Sequence, residues 1–190
     1  MPEKADIGVI GAGSIANAYH LPALMSVPEA RVTAVADPIE ERARATAEKF
    51  HVERWFTDYR DLLGRGDVDG VVVCTPNDAH CEVAVAAAEA GKHVMVQKPM
   101  ARTVEECDRM IGAARRAGVR LMACFMHRWF PETLRAKEII DSGEVGRIVQ
   151  VRQRNGHGGP GSWFRDLKRA GGGCLIDLGV HGVDLIRWLA

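Results

Sequence analysis

The chain has 190 residues, a formal charge of zero and an apolar fraction of 47%. That composition supports a core, and about one and a half domains is the size expectation. The charge balance argues against a nucleic-acid binder, which needs a basic face, and no apolar run is long enough to span a membrane.

The start, "MPEKADIGVIGAG", has no basic segment followed by an apolar run, so no signal peptide is expected. Five cysteines, at 74, 81, 107, 124 and 174, form no CxxC pair. They read as reduced thiols, most of them buried, in a cytoplasmic protein.

In chain order, "DIGVI" (6–10) predicts a strand, and 14–27 a helix that Pro22 should end or kink. "RVTAVA" (31–36) is a second strand, followed by a charged helix over 39–50, a short strand at 54–56 and a helical turn at 58–64. "GVVVC" (70–74) is continuously apolar, as in a strand covered on both faces. A helix over 78–90 follows, with Asn77 as its candidate cap and Gly91 as its stop. "HVMVQ" (93–97) is the next strand. "TVEE" (103–106) fits a capping box for a helix at 103–117 that Gly118 ends, and "VRLMAC" (119–124) is one more strand. This alternation predicts a doubly wound parallel sheet over residues 1–123.

The rhythm then changes. Residues 131–142 predict a helix, "RIVQVRQRN" (147–155) a strand, and "GHGGPG" a loop containing His157. The closing segment, "CLIDLGVHGVDLIRW" (174–188), reads as a helix. At about 100° per residue, His181 stands roughly 40° from Asp177, and Asp184 roughly 20° to its other side. Three ionisable groups thus share one stripe of an otherwise apolar helix, and buried charges must be paired or used. One strand and two helices do not close a second domain. Residues 124–190 therefore read as the start of a truncated α+β domain, either a fragment or one completed by strands from another molecule.

"GAGSIA" (11–16) follows the first strand and opens a helix, in the pattern G-x-G-x-x-A. Gly11 permits the tight turn, Gly13 lets the backbone approach a pyrophosphate, and Ala16 keeps helix and sheet close. Ser14 and Ile15 begin the helix whose N-terminus faces the anion. Asp37 ends the second strand, where an acid accepts from a ribose 2′-hydroxyl and repels a 2′-phosphate, so NAD is preferred to NADP. The bland alternative is a plain βα turn with a capping Asp.

"CTPNDAH" (74–80) and "QKPM" (97–100) both leave strand carboxyl ends, where ligands bind in open α/β sheets. Thr75, Asn77, His80, Gln97 and Lys98 are the cofactor-side candidates there. The competing readings are a proline turn with an Asn cap, a structural His80 and a solvated lysine. Pro99 is a candidate cis proline, although few X-Pro bonds are cis.

Together these stretches resemble the Gfo/Idh/MocA oxidoreductases, the family of glucose–fructose oxidoreductase and inositol dehydrogenase. The marks are "GAGSIA", "HLPAL" (20–24), "ADP" (36–38), "DYRDLL" (58–63), "CTPNDAH", "GKHVMVQKPMA" (91–101), "SGEVGRI" (142–148) and "GGGCLIDLGVHGVD" (171–184). The resemblance implies an N-terminal Rossmann domain and a C-terminal domain with a large, mostly antiparallel sheet that commonly serves oligomerisation. It implies a nicotinamide cofactor and a sugar, cyclitol or related polyol substrate. It places the catalytic lysine on Lys98 and the acid–histidine pair on Asp177 and His181. Gln97 stands where the family usually has Glu, and relatives are far longer than this chain.

On this reading His181 takes the hydroxyl proton, helped by an unperturbed pKa of about 6.5. Lys98 steadies the alkoxide and lowers the His181 pKa. Asp177 holds a substrate hydroxyl and fixes the imidazole, and Asp184 orients His181 or caps the core. His127, Arg128 and Trp163 are weaker substrate-contact candidates, each with a structural alternative. A structural polar cluster and a metal shared by Asp177 and His181 compete with this chemistry, and the resemblance favours no metal. Competing functions are a dinucleotide-binding sensor without turnover, an inactive fragment and an NAD-dependent glycosidase.

Overall fold

The computed structural model describes residues 4–156, 158 and 161–190. Six strands form one parallel sheet: β1 (Ala5–Ile10), β2 (Ala30–Ala36), β3 (Arg54–Phe56), β4 (Gly70–Val73), β5 (His93–Gln97) and β6 (Leu121–Cys124). Their order is β3-β2-β1-β4-β5-β6. The order reverses between β1 and β4, and a crevice opens at such a switch point beyond the strand carboxyl ends.

Helices cover both faces. α1 (Leu21–Ser26) and α2 (Glu40–Lys49) pack on one side with Val9, Val35 and Val72. α3 (Tyr59–Leu63), α4 (Asn77–Glu89) and α5 (Val104–Ala117) pack on the other with Val71, Val73, Val94 and Val96. All four residues of β4 are buried, which is why that stretch reads as a continuous apolar run. Each buried valine contributes about 1.5–3 kcal/mol relative to exposure. α4 and α5 meet through Ala84, Ala87, Ala113 and Ala114, small side chains that permit a close approach. Thr103 caps α5 by accepting from the Glu106 amide, and Gly118 ends it at φ +67°.

Pro22 does not break the first helix. Ala16–His20 forms a π-helical turn in which the Leu21 amide reaches back to the Ala16 carbonyl, and α1 then starts with Pro22 in its first turn. The widened turn absorbs the amide that proline lacks. Asn77 is the first residue of α4, not its cap.

Beyond β6, a 3₁₀ turn (Met126–Trp129) leads into α6 (Pro131–Asp141). The strand expected at 147–155 is absent, and those residues run without ladder hydrogen bonds. A strand needs a neighbour to satisfy its backbone, and no strand of the described residues lies beside it. His157 lies outside the described residues. A second 3₁₀ turn (Ser162–Arg165), α7 (Leu167–Ala170), a π turn (Leu175–Gly179) and α8 (Val180–Leu189) close the chain. The closing segment is therefore not one regular helix, and its Leu175, Val183 and Ile186 are exposed rather than packed. The cysteines are all free, but only Cys74 and Cys81 are buried, while Cys174 is exposed.

Candidate active site

A cavity of about 880 Å³ opens at the β1/β4 switch point. The β1–α1 loop supplies Gly11, Gly13, Ser14 and Ile15; β2 supplies Asp37, and the β4–α4 loop Thr75 and Asn77. Gln97 and Lys98 enter from the end of β5, and Trp163 from the second 3₁₀ turn. Loops from β1 to β5 thus share one wall, because parallel strands deliver all their carboxyl ends to one edge, and Trp163 joins them from outside the sheet.

Gly11 is indispensable to the loop. It sits at φ +96°, and a Cβ there would lie 2.6 Å from the Cys74 carbonyl carbon. At Gly13 a Cβ would meet no protein atom within 4 Å, so that position faces open cavity. Asp37 is buried, and its two oxygens accept from the Ala12 and Ile39 amides, each at 2.9 Å. It thereby pins the glycine loop to the end of β2. Each oxygen retains a second acceptor site for a ligand hydroxyl. Arg42, Arg60 and Arg169 line the same cavity. Sequence reading missed these three cations, since nothing in their spacing marks a common target. Arg60 is paired with Asp58 and Glu82, and Arg169 with Asp78.

Gln97 is held on both sides. Its Oε1 accepts from the Lys98 amide at 2.7 Å, and its Nε2 lies 3.1 Å from His20 Nε2. The amide at Lys98 can only donate, so the Gln97 NH₂ faces His20, and His20 Nε2 must carry the lone pair. Burial pushes the His20 pKa down, in keeping with a neutral ring. The sequence offered His20 only as a letter of "HLPAL"; its partner lies 77 residues away.

Lys98, before a cis peptide bond to Pro99, sends its ammonium across to the closing segment. Nζ donates to the Asp177 carbonyl at 2.6 Å and to Asp177 Oδ1 at 2.9 Å. Both side chains are largely buried. Asp177 also lines an adjoining cavity of about 420 Å³, as does Asn77. The Asn77 side chain donates to the Ala170 carbonyl at 2.9 Å, which ties α4 to the end of α7.

One turn beyond Asp177, His181 is 4% exposed and its Nδ1 is buried without a hydrogen-bond partner. Its ring stacks on His127, with centroids 3.9 Å apart and planes 10° from parallel. Burial first, then the nearby His127 and Lys98, push the His181 pKa down to about 4. The expected effect of Lys98 is present, but burial outweighs it. The imidazole is thus neutral throughout the neutral range rather than poised at its ordinary value.

His80 takes its structural alternative and does not line the cavity, so it is no cofactor contact. It is fully buried behind the two ligand loops, with Nδ1 2.8 Å from the Pro99 carbonyl oxygen and Nε2 2.9 Å from that of Thr75, and a neutral ring, having one N–H, donates to only one of them. Asp184 is paired with Arg128: its two oxygens accept from the guanidinium, with Nε to Oδ2 at 2.7 Å. Trp163 stacks on Phe164, with ring centroids 3.9 Å apart, and lines the same cavity as Lys98.

Burial lowers the pKa of His20, His80, His127 and His181 alike. The unfolded chain, whose histidines titrate near 6.5, therefore binds more protons below that pH than the folded one. The stability conferred by the neutral rings is complete above about pH 6.5 and is lost as pH falls toward the folded values. Thermal melts should show a lower Tm at pH 5 than at pH 7; an unchanged Tm would contradict the neutral buried rings.

A doubly wound sheet with a glycine loop at its switch point and an acid closing the second strand defines a dinucleotide-binding Rossmann protein. Residues 5–125 match the model of the oxidoreductase family with the NAD-binding Rossmann fold, and residues 133–190 match the Gfo/Idh/MocA C-terminal domain. The chain belongs to the Gfo/Idh/MocA oxidoreductase family. It is 34% identical to levoglucosan dehydrogenase of Pseudarthrobacter phenanthrenivorans, over 98% of this chain and 51% of that protein. It is 32% identical to inositol 2-dehydrogenase of Salmonella typhimurium, over 96% of this chain and 53% of that one. The solved structure of levoglucosan dehydrogenase with NADH superposes with a TM-score of 0.86 at 32% identity, covering 99% of this chain and 54% of that one. The chain spans about half the length of the curated relatives it matches.

Proposed function

We propose that this protein is an NAD-dependent dehydrogenase that oxidises a secondary hydroxyl of a sugar, cyclitol or related polyol. The observation that carries the reading is the bond from Lys98, on the nucleotide half, to Asp177, four residues before the buried and neutral His181. The relatives named as inositol and levoglucosan dehydrogenases support the substrate class.

The residues present fit the dinucleotide. Gly11 holds the turn, Gly13 leaves open space for a pyrophosphate, and Asp37 keeps acceptor capacity for a ribose hydroxyl. Thr75 Oγ1 is buried without a partner at the cavity wall, a group that a ligand can satisfy. Bound NAD supplies the hydride acceptor. The protein's own part is to orient one hydroxyl and to remove its proton. A ring nitrogen of His181 accepts that proton, since a neutral imidazole keeps one lone pair free. Lys98 Nζ, preset by Asp177, donates to the oxygen as negative charge develops, inside a partly buried site where such a bond is strongest. Asp177 holds the lysine and accepts from a neighbouring substrate hydroxyl.

Initial rates of NAD reduction with myo-inositol and with levoglucosan test the reading. Turnover with either probe, or with another polyol, is the expected result; saturable NAD binding with no polyol oxidised would favour a sensor instead. Asp37→Ala should weaken NAD by about ten- to a hundredfold, because a charged acceptor is lost. NADP should weaken less, since the same change removes a repulsion. Isothermal titration of both cofactors reads this, and equal losses would remove the NAD preference.

A further inference from the structure

His127 is left without a task by the mechanism above. It stands in the 3₁₀ turn Met126–Trp129, immediately after the sheet ends. Its ring lies flat on His181, while Phe130 flanks it at 5.0 Å and Phe125 meets His181 edge-on at 6.2 Å. The next residue, Arg128, is gripped by both oxygens of Asp184, three residues past His181. An ion pair therefore clamps the turn to α8 beside the stack, and the ring of His181 has little freedom to rotate.

The charged groups around His181 are the Lys98 ammonium, the Asp177 carboxylate, the Arg128 guanidinium, the Asp184 carboxylate and His127 itself. The first four neutralise one another as two ion pairs, Lys98 with Asp177 and Arg128 with Asp184. Among the described residues, His127 is left as the switchable charge against the ring. Two imidazolium ions about 4 Å apart repel by about 4 kcal/mol at an effective dielectric of about 20, so the stack holds at most one extra proton near neutrality. His127 is half-buried and His181 almost wholly buried, so the charge is better solvated on His127.

We propose that His127 is a positioning residue for His181: it fixes the plane of that imidazole and takes the first proton of the pair as the pH falls, which holds His181 in its unprotonated form to lower pH. This rests on the reading of His181 as the base. The downward pKa shift of His181, part of which comes from His127, agrees with that order of protonation.

The test follows the histidine ¹³Cε1–¹H resonances by NMR from pH 8 downward, with a His181→Asn sample to assign the His181 signal. In the wild type His127 should titrate before His181. His127→Phe keeps a stacked ring and removes the charge, and it should raise the His181 midpoint by about one pH unit. His127→Gln serves the same purpose if the phenylalanine disturbs the fold, as circular dichroism would reveal. An unmoved His181 midpoint in a folded variant, or His181 titrating first in the wild type, overturns the proposal. A purely structural His127 would lower Tm without moving that midpoint. The titration needs no turnover. A shifted midpoint in a protein that oxidises no polyol therefore upholds the pairing and counts against the function instead.

Discussion

Lys98→Met is expected to lower NAD reduction by about 10³-fold, the scale of losing one donor to a developing oxyanion. NAD affinity should change only a few-fold. Methionine preserves the length and most of the volume of the lysine stem, so the walls of the cavity stay in place. The variant loses the ammonium that bridges to the Asp177 carbonyl and carboxylate. Some stability goes with it, because a largely buried carboxylate loses its cation. Steady-state rates, NAD titration and a melting curve on the same sample separate these effects. A variant that keeps about a tenth or more of the wild-type rate would remove Lys98 from the chemistry.

Gly11→Ala and Gly13→Ala should fail in opposite ways. At Gly11 the added methyl meets the Cys74 carbonyl carbon at 2.6 Å and oxygen at 2.7 Å, both backbone, at a φ of +96°. Neither β1 nor β4 can yield without losing ladder bonds, so a destabilisation of about 3–5 kcal/mol is expected. That corresponds to a fall in Tm of roughly 6–20 °C for a chain of this size. At Gly13 the methyl meets nothing, so Tm should hardly move, yet it projects where a pyrophosphate must approach. NAD affinity should then fall by about a hundredfold. A stable Gly11→Ala protein, or undiminished NAD binding by Gly13→Ala, would contradict the loop's role.

The Rossmann half was legible because its signals are local. Apolar runs such as "GVVVC", the capping Thr103 and the stop at Gly118 each report on neighbours within a few residues. Pro22 misled because its effect depends on the π turn Ala16–His20 just upstream, which the proline itself does not signal. The segment at 147–155 has strand periodicity but no neighbouring strand, and periodicity alone cannot supply one. At the site, residue types were readable and partners were not. That Asp184 serves Arg128, 56 residues away, could not be seen in a helical wheel. His80 takes its structural alternative, buried between the carbonyls of Thr75 and Pro99. The stack of His127 on His181 and the contact of Gln97 with His20 exist only once the chain has folded.

Everything functional depends on the nucleotide cavity and the closing helix sharing one ligand space. Titration with NAD, following the Gly13 amide and the His181 ring by NMR in one sample, measures that directly. Both signals should move along a single saturation curve. If the Gly13 amide saturates while the His181 ring and the Lys98 side chain stay unmoved, the two halves do not meet over one ligand.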